Sequence, residues 1–202
     1  MDWTVIPSDE VITKTIEALK KRNIQTVVVN NRTEALAKLK ELIPSGVSVM
    51  TGSSTTLDEI GFTDLLKSKN HPWRNFKDII FAEKDPVKQY ELRRQSLLAD
   101  YFLASVQAIA QTGEVLSCDA TGTRTGPYSF GPKDVIWVAG AQKIVTDLDQ
   151  AFRRMHEHCI PLEDKRMKSV GYPGTTLSRI LIYEKADANR ITMILVKEKL
   201  GF

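Results

Sequence analysis

Cysteine is scarce in this chain: only Cys118 and Cys159 among 202 residues, far apart and without a CxxC pair. That scarcity argues against a disulfide framework or a closed zinc site and is compatible with a reducing cytosol. No uncharged apolar run approaches the ~20 residues that cross a bilayer, so no membrane-spanning segment is expected. An excess of one charge is also lacking. Lys and Arg number 28 against 25 Asp and Glu, a net +3 with both signs interspersed, which gives no case for nucleic acid or a membrane surface as partner. The first ten residues, MDWTVIPSDE, carry acids and no basic-then-apolar pattern, so no signal peptide is expected. Low-complexity linkers and internal repeats are absent. With 42% hydrophobic and 26% charged content, 202 residues suffice for a sizeable core. The expectation is one soluble, cytoplasmic domain over residues 1–202.

What is present concentrates in Val47 to Gly61, VSVMTGSSTTLDEIG. A β-branched apolar run stops at Thr51-Gly52-Ser53-Ser54-Thr55-Thr56, and a helical pattern starts at Leu57. A strand, a Gly/Ser/Thr turn and a helix make a ready anion site: the turn offers backbone N–H groups, the hydroxyls add donors, and the helix start carries partial positive charge. The segment is not a Walker loop, lacking Gly-Lys-Ser/Thr, and not a dinucleotide fingerprint, lacking three spaced glycines. Thr56 with Glu59 three residues later also spells a capping box, and Gly52 lets the chain turn. One cap explains one hydroxyl, whereas Thr51 to Thr56 holds five. The turn is therefore read as a ligand site and Glu59 chiefly as a cap.

Elsewhere the periodicity predicts a helix from Asp9 to about Arg22 capped by Ser8, a strand over Ile24–Val29, and a helix from Asn31 to Leu42 ended by Pro44 and Gly46. DIIFA (78–82) reads as a short strand, and Asp85-Pro86 opens a helix to about Leu98. Tyr101 to Ala110 reads as a strand buried on both faces. Val115–Cys118 and Val135–Ala139 add strands, separated by a Gly/Thr/Pro-rich loop from Gly122 to Pro132. A helix is predicted from Asp147 through His158, ended by Pro161. Arg179–Glu184 and Ile191–Val196, joined by a polar turn, read as a C-terminal β-hairpin. The fold class is α/β: a Rossmann-like, open, mostly parallel sheet with flanking helices and that hairpin.

Polar groups gather where strands end, which is where open α/β sheets bind ligands. Ser105 and Gln107 interrupt the Tyr101 strand. Asp119 to Arg124, with Gly122, follows the Val115 strand, and Gly140-Ala141-Gln142-Lys143 follows the Val135 strand. Each alone is an ordinary polar turn, with Asp119 as an Asx-turn and Gly140 as a tight bend. Arg124 stands out because a guanidinium in a glycine-rich loop offers a fixed fork to phosphate or carboxylate. The loop reads as a mobile lid with Tyr128 and Phe130 available for stacking.

Taken in order, GSSTTLDEIG, DYFLASVQAIA, DATGTRTG, GPKDVIWVAGAQKIVTDLDQAFRRM and ITMILVKEKLGF resemble the LUD (lactate-utilisation) domain family. The match is to its branch with Gly-x-Ser-x-Thr-x-x-Glu-Ile-Gly, Ser-Val-Asn-Ala, Asp-x-Thr-Gly-Asn-Arg, Gly-Pro-Lys and Asn-Lys-Ile-Val. The resemblance implies a fold like that of ribose-5-phosphate isomerase, glucosamine-6-phosphate deaminase and the CoA transferases, which bind phosphate or a comparable group on a Gly/Ser/Thr loop. The matching positions are Gly52, Ser53, Thr56, Glu59, Ser105, Asp119, Gly122, Arg124, Gly140 and Lys143. Family asparagines are replaced by Gln107, Thr123 and Gln142. The cysteine-rich stretch of many members is here KSVGYPGTTLS (168–178), so no metal or iron–sulfur role carries over.

His156, His158 and Cys159 read as the basic end of a helix rather than a metal set. Arg153-Arg154 and Lys165-Arg166 read as solvated faces. The expected function is binding of a small anionic metabolite, phosphorylated or acyl-linked. The ligand-binding set is Gly52, Ser53, Ser54, Thr55, Thr56, Ser105, Gln107, Gly122, Arg124, Gly140, Gln142 and Lys143. Glu59 and Asp119 are the acid/base candidates, each requiring a perturbed pKa to act near neutrality. The cofactor is unknown, and no metal site is read. No group in the chain carries a hydride or electrons, so a link to lactate oxidation would run through iron–sulfur partner proteins, with this chain as an accessory subunit. A homo-oligomer is compatible with the sequence.

Overall fold

The computed structural model describes residues 1–202. Ser8 caps α1 (Asp9–Lys21) by accepting from Val11 N, and Asn31 caps α2 (Arg32–Leu42) after β1 (Ile24–Val29). Next come β2 (Ser48–Thr51), α3 (Thr55–Glu59), α4 (Phe62–Lys67), β3 (Arg74–Asn75) and α5 (Phe76–Ala82). Asp85 caps α6 (Pro86–Gln95), which accepts proline in its first turn because that position has no intrahelical acceptor for an N–H. The middle of the chain holds β4 (Tyr101–Ala104), β5 (Ala108–Ala110), β6 (Val115–Asp119), α7 (Thr125–Ser129) and β7 (Asp134–Gly140). A 3-10 turn (Ala141–Lys143) leads to β8 (Ile144–Val145), α8 (Leu148–Arg154), a π turn (Met155–Cys159), α9 (Ile160–Ser169), β9 (Arg179–Tyr183) and β10 (Ile191–Val196).

Six strands form one parallel sheet in the order β1-β10-β7-β4-β2-β3. Its central strands are apolar on both faces. Phe102, Ala104, Val135, Trp137, Met193 and Leu195 join α1 in one core, while Leu103, Ile136, Val138 and Ile194 join α2, α3 and α4 in the other. Burial of alternate residues on opposite faces explains why these strands show no alternation in sequence. A second sheet, in the order β8-β5-β6-β9, packs beside the first core, and its far face buries Ala108, Leu116 and Cys118 against Ala151 and Met155 of the α8 region.

Four sequence expectations are corrected. The predicted strand over 78–82 is the helix α5, because Asn75 Oδ1 accepts from Lys77 N and caps it. Of its apolar run, only Ile80 is buried. The single strand over 101–110 is two, since Ser105-Val106-Gln107 carries the chain from the first sheet to the second. Pro161 does not end a helix: it sits in the first turn of α9, after the π turn. The 122–132 loop contains α7. Both C-terminal strands lie where expected, and the turn between them bridges the two sheets. Antiparallel β9 hydrogen-bonds to β6, and the apolar β10 lies parallel between β1 and β7.

Candidate functional site

The strand order brings the carboxyl ends of β2, β4 and β7 side by side, and a cavity of about 570 Å³ opens there. Its lining includes Thr51–Thr56, Ser105, Val106, Gln107 and Lys143, with Asp119 and Arg124 of the loop after β6. Gly52 N donates to Leu103 O at 3.0 Å, holding the turn against β4. A Cβ on Gly52 would stand 3.1 Å from the Ala104 Cβ, so a larger residue would push the turn away from β4 by a few tenths of an ångström. The amides of Ser53 and Ser54 have no acceptor within the protein. Unpaired N–H groups beside a cavity are available to an oxyanion.

The capping box predicted from Thr56 and Glu59 does not form. The helix starts at Thr55, so Ser54 is its cap and accepts from Leu57 N at 3.3 Å. Thr56 turns inward, with Oγ1 3.3 Å from Ser105 Oγ. Glu59 accepts from Gly201 N at 2.7 Å and lies outside the cavity wall.

Lys143 is 2% exposed. Its Nζ lies 2.9 Å from Ser105 Oγ, 3.2 Å from Val106 O and 3.3 Å from Thr56 Oγ1, with no carboxylate in reach. Burial pulls its pKa down to about 7, and repulsion from Arg154 and Arg124 adds to the effect. Arg154, expected on a solvated face, is fully buried. It donates to Gln107 O and, at 3.0 Å, to Cys159 Sγ, while its Nε and Nη2 have no partner. Sequence reasoning missed it because an arginine pair at a helix end looks solvated. Only Arg153 is: it pairs with Glu157 on the surface.

Arg124 uses its fork internally. Nη2 donates to Ser53 O and Nη1 to Cys118 O, leaving Nε buried without a partner beside Gly52. Asp119 accepts from the amides of Gly122, Arg124 and Thr125 and from the Thr125 hydroxyl. Burial raises its pKa, but these donors outweigh burial and hold the carboxyl below its usual range. It is therefore a loop clamp, ionised at neutral pH, and not a proton donor. Tyr128, expected in a stacking lid, is fully buried with its hydroxyl donating to Ser105 O at 2.8 Å. Phe130 is exposed.

The remaining predicted positions are structural neighbours of the site. Gln107 Oε1 accepts from Cys118 N, and Gln142 Nε2 donates to Leu200 O at 2.8 Å. Gly122 adopts a left-handed φ of 82° in the Asp119 loop. Gly140 leaves no room for a Cβ against Gln142 and the backbone of Glu198 and Leu200. Cys118 and Cys159 line the cavity unexpectedly, yet burial pushes both thiols up, Cys118 to about 12, so neither is a thiolate. No group of three or more His, Cys, Asp or Glu side chains is placed to hold a metal ion. No helix is long and apolar enough to cross a membrane.

No functionally curated protein matches the chain. Among solved structures, it is similar to a DUF162 family protein from Deinococcus radiodurans, with a TM-score of 0.56 at 12% identity over 94% of this chain and 99% of that one. At that identity the likeness concerns the fold alone. The model of the LUD domain matches residues 12–197, and the chain belongs to the LUD domain family.

Proposed function

We propose that this protein binds a small anionic metabolite, phosphorylated or acyl-linked, at the carboxyl ends of β2, β4 and β7, within lactate or related organic-acid metabolism. The observation that carries this reading is charge imbalance in the cavity. Besides Lys143, its lining holds four cationic side chains (Lys77, Arg93, Arg124 and Arg166) and two acidic ones. Of the two, Asp119 is saturated by the loop amides and Glu163 is paired with Arg166 at 2.7 Å. Positive charge without a counter-ion, next to the free amides of Ser53 and Ser54, favours an oxyanion.

The test is thermal shift against inorganic phosphate, phosphosugars, coenzyme A esters and hydroxy acids. A ligand at one hundred times its Kd stabilises by about 2.7 kcal/mol, or roughly 5–10 °C for a chain of this size. The shift should be lost in Lys143→Met and Arg124→Ala. A flat response across the panel overturns the reading.

One observation supports a second reading, an accessory subunit that docks iron–sulfur redox proteins. Ile79, Phe81, Val87, Tyr90 and Leu98, on and just beyond the adjoining helices α5 and α6, are exposed apolar side chains. Co-purification of an iron–sulfur protein that is lost in Phe81→Glu, with no ligand response, would favour it.

A further inference from the structure

The contact between Ser105 and Lys143 has the form of a nucleophile and its base. We propose that these two residues form a serine–lysine dyad that performs acyl transfer on an ester or thioester carrying an anionic group. The inference rests on the anion-binding reading above and adds a reaction to it.

The geometry places the amine where it can exchange a proton with the serine. Ser105 Oγ lies 2.9 Å from Nζ, within the reach required of a nucleophile and its base. A neutral amine has one lone pair and two N–H groups. As an ammonium, Nζ donates to Ser105 Oγ, Val106 O at 3.2 Å and Thr56 Oγ1 at 3.3 Å; once neutral it keeps two N–H groups for Val106 O and Thr56 Oγ1, and its lone pair takes the Ser105 proton. Nζ has no carboxylate to hold its proton, and burial brings its pKa to about 7, a value suited to a base at neutral pH.

Ser105 is rigidly presented. It occupies the switch between β4 and β5, its carbonyl accepts from the buried Tyr128 hydroxyl, and the residue lines the cavity. Donors for a developing oxyanion line the same cavity: the unpaired amides of Ser53 and Ser54.

In the first step Ser105 Oγ bonds to the acyl carbon while its proton passes to Lys143 Nζ and the carbonyl π pair moves onto oxygen. Collapse of the adduct breaks the bond to the leaving alkoxide or thiolate, which takes the proton back from Nζ. Water then attacks the acyl-serine with Nζ as base. The C–Oγ bond breaks, Oγ recovers its proton, and a carboxylic acid departs. The sum is ester plus water giving acid plus alcohol or thiol.

The test treats the full chain with a fluorophosphonate probe and with p-nitrophenyl acetate. Adducts are located by peptide mass spectrometry, and inorganic phosphate binding is measured on the same samples by thermal shift. A single adduct on Ser105 is expected, forming at least 100-fold more slowly in Lys143→Met and Lys143→Gln, with a rate that rises with pH through about 7. Ser105→Cys guards against misfolding in Ser105→Ala: its thiol should react with iodoacetamide at least tenfold faster than in the Ser105→Cys, Lys143→Met double variant. Phosphate binding without an adduct overturns the dyad alone. An adduct without phosphate binding supports the dyad and overturns the anion reading, and neither signal overturns both. An adduct formed equally fast in folded Lys143→Met also overturns the dyad.

Discussion

Arg124 Nη2 donates to the carbonyl oxygen of Ser53 at 2.6 Å, tying the loop after β6 to the turn after β2. Nη1 reaches Cys118 O at 3.1 Å, so one guanidinium spans two strand ends. The residue that looked like a direct ligand fork thus also builds the wall on which a ligand would sit.

Arg124→Ala should therefore lower both stability and affinity. Hydrogen bonds from a charged donor contribute roughly 1.5–3 kcal/mol each when buried; solvent screening of this half-exposed side chain takes both below that range, so a combined loss of about 2 kcal/mol is expected. That corresponds to a fall of roughly 4–8 °C in Tm. Phosphate affinity should drop at least tenfold, about 1.4 kcal/mol. Arg124→Lys restores the charge but cannot reach both carbonyls, so it should recover part of the affinity and little of the stability. Full recovery by lysine would show that charge alone matters here.

The turn was legible in sequence because its parts are contiguous: a β-branched strand, one glycine, a run of hydroxyls and a helix within residues 47–61. The Ser105–Lys143 contact was not, because it joins residues 38 apart and depends on β4 and β7 being neighbours in the sheet. Both residues stand at strand ends in the sequence, but position alone does not give a distance. The helix α5 reads as a strand in sequence because Ile79-Ile80-Phe81 is too short a run to show a period. Its available signal was Asn75, a good N-cap. Arg154 offered no signal at all: its burial follows from the π turn and its contact with Gln107 O.

Lys143 should give stability an alkaline slope. Its native pKa of about 7 lies below the ordinary lysine value. Between the two, the unfolded chain holds a proton that the native state has released, so raising the pH favours folding. The burden of burying a charge is complete below about 7 and is relieved as the pH climbs toward the ordinary value. The unfolding free energy of wild type relative to Lys143→Met should rise through this window, by at most about 1.4 kcal/mol per pH unit for one proton. Urea unfolding at pH 6, 8 and 9.5 checks it. Parallel curves for the two proteins would mean that Lys143 stays charged in the native state.

Asp119 should act in the opposite pH range. Its carboxyl titrates below the usual carboxylate value in the native state, so its stabilisation is complete above that value. It is lost as the pH falls through the lowered native one. Asp119→Asn keeps the shape but weakens three amide contacts and should cost about 1–3 kcal/mol at pH 7. The gap between the two proteins should narrow below the carboxylate range in acid unfolding. If Asp119 were a proton donor instead, Asp119→Asn would leave stability intact and abolish activity.

Gln142 should control the last three residues. Its amide donates to Leu200 O at 2.8 Å and accepts from Leu200 N at 3.3 Å, while Gly201 N donates to Glu59. These bonds carry Phe202 to the cavity rim. Gln142→Ala removes two buried bonds, about 1 kcal/mol each, and leaves Leu200 N and O unpaired. Amide hydrogen exchange at Leu200 should quicken at least tenfold, whereas Glu59→Ala should quicken only Gly201. Saturating phosphate should slow exchange in wild type if Phe202 closes over the bound anion. Unchanged exchange in Gln142→Ala would assign the anchoring to the apolar burial of Leu200 itself, which is complete.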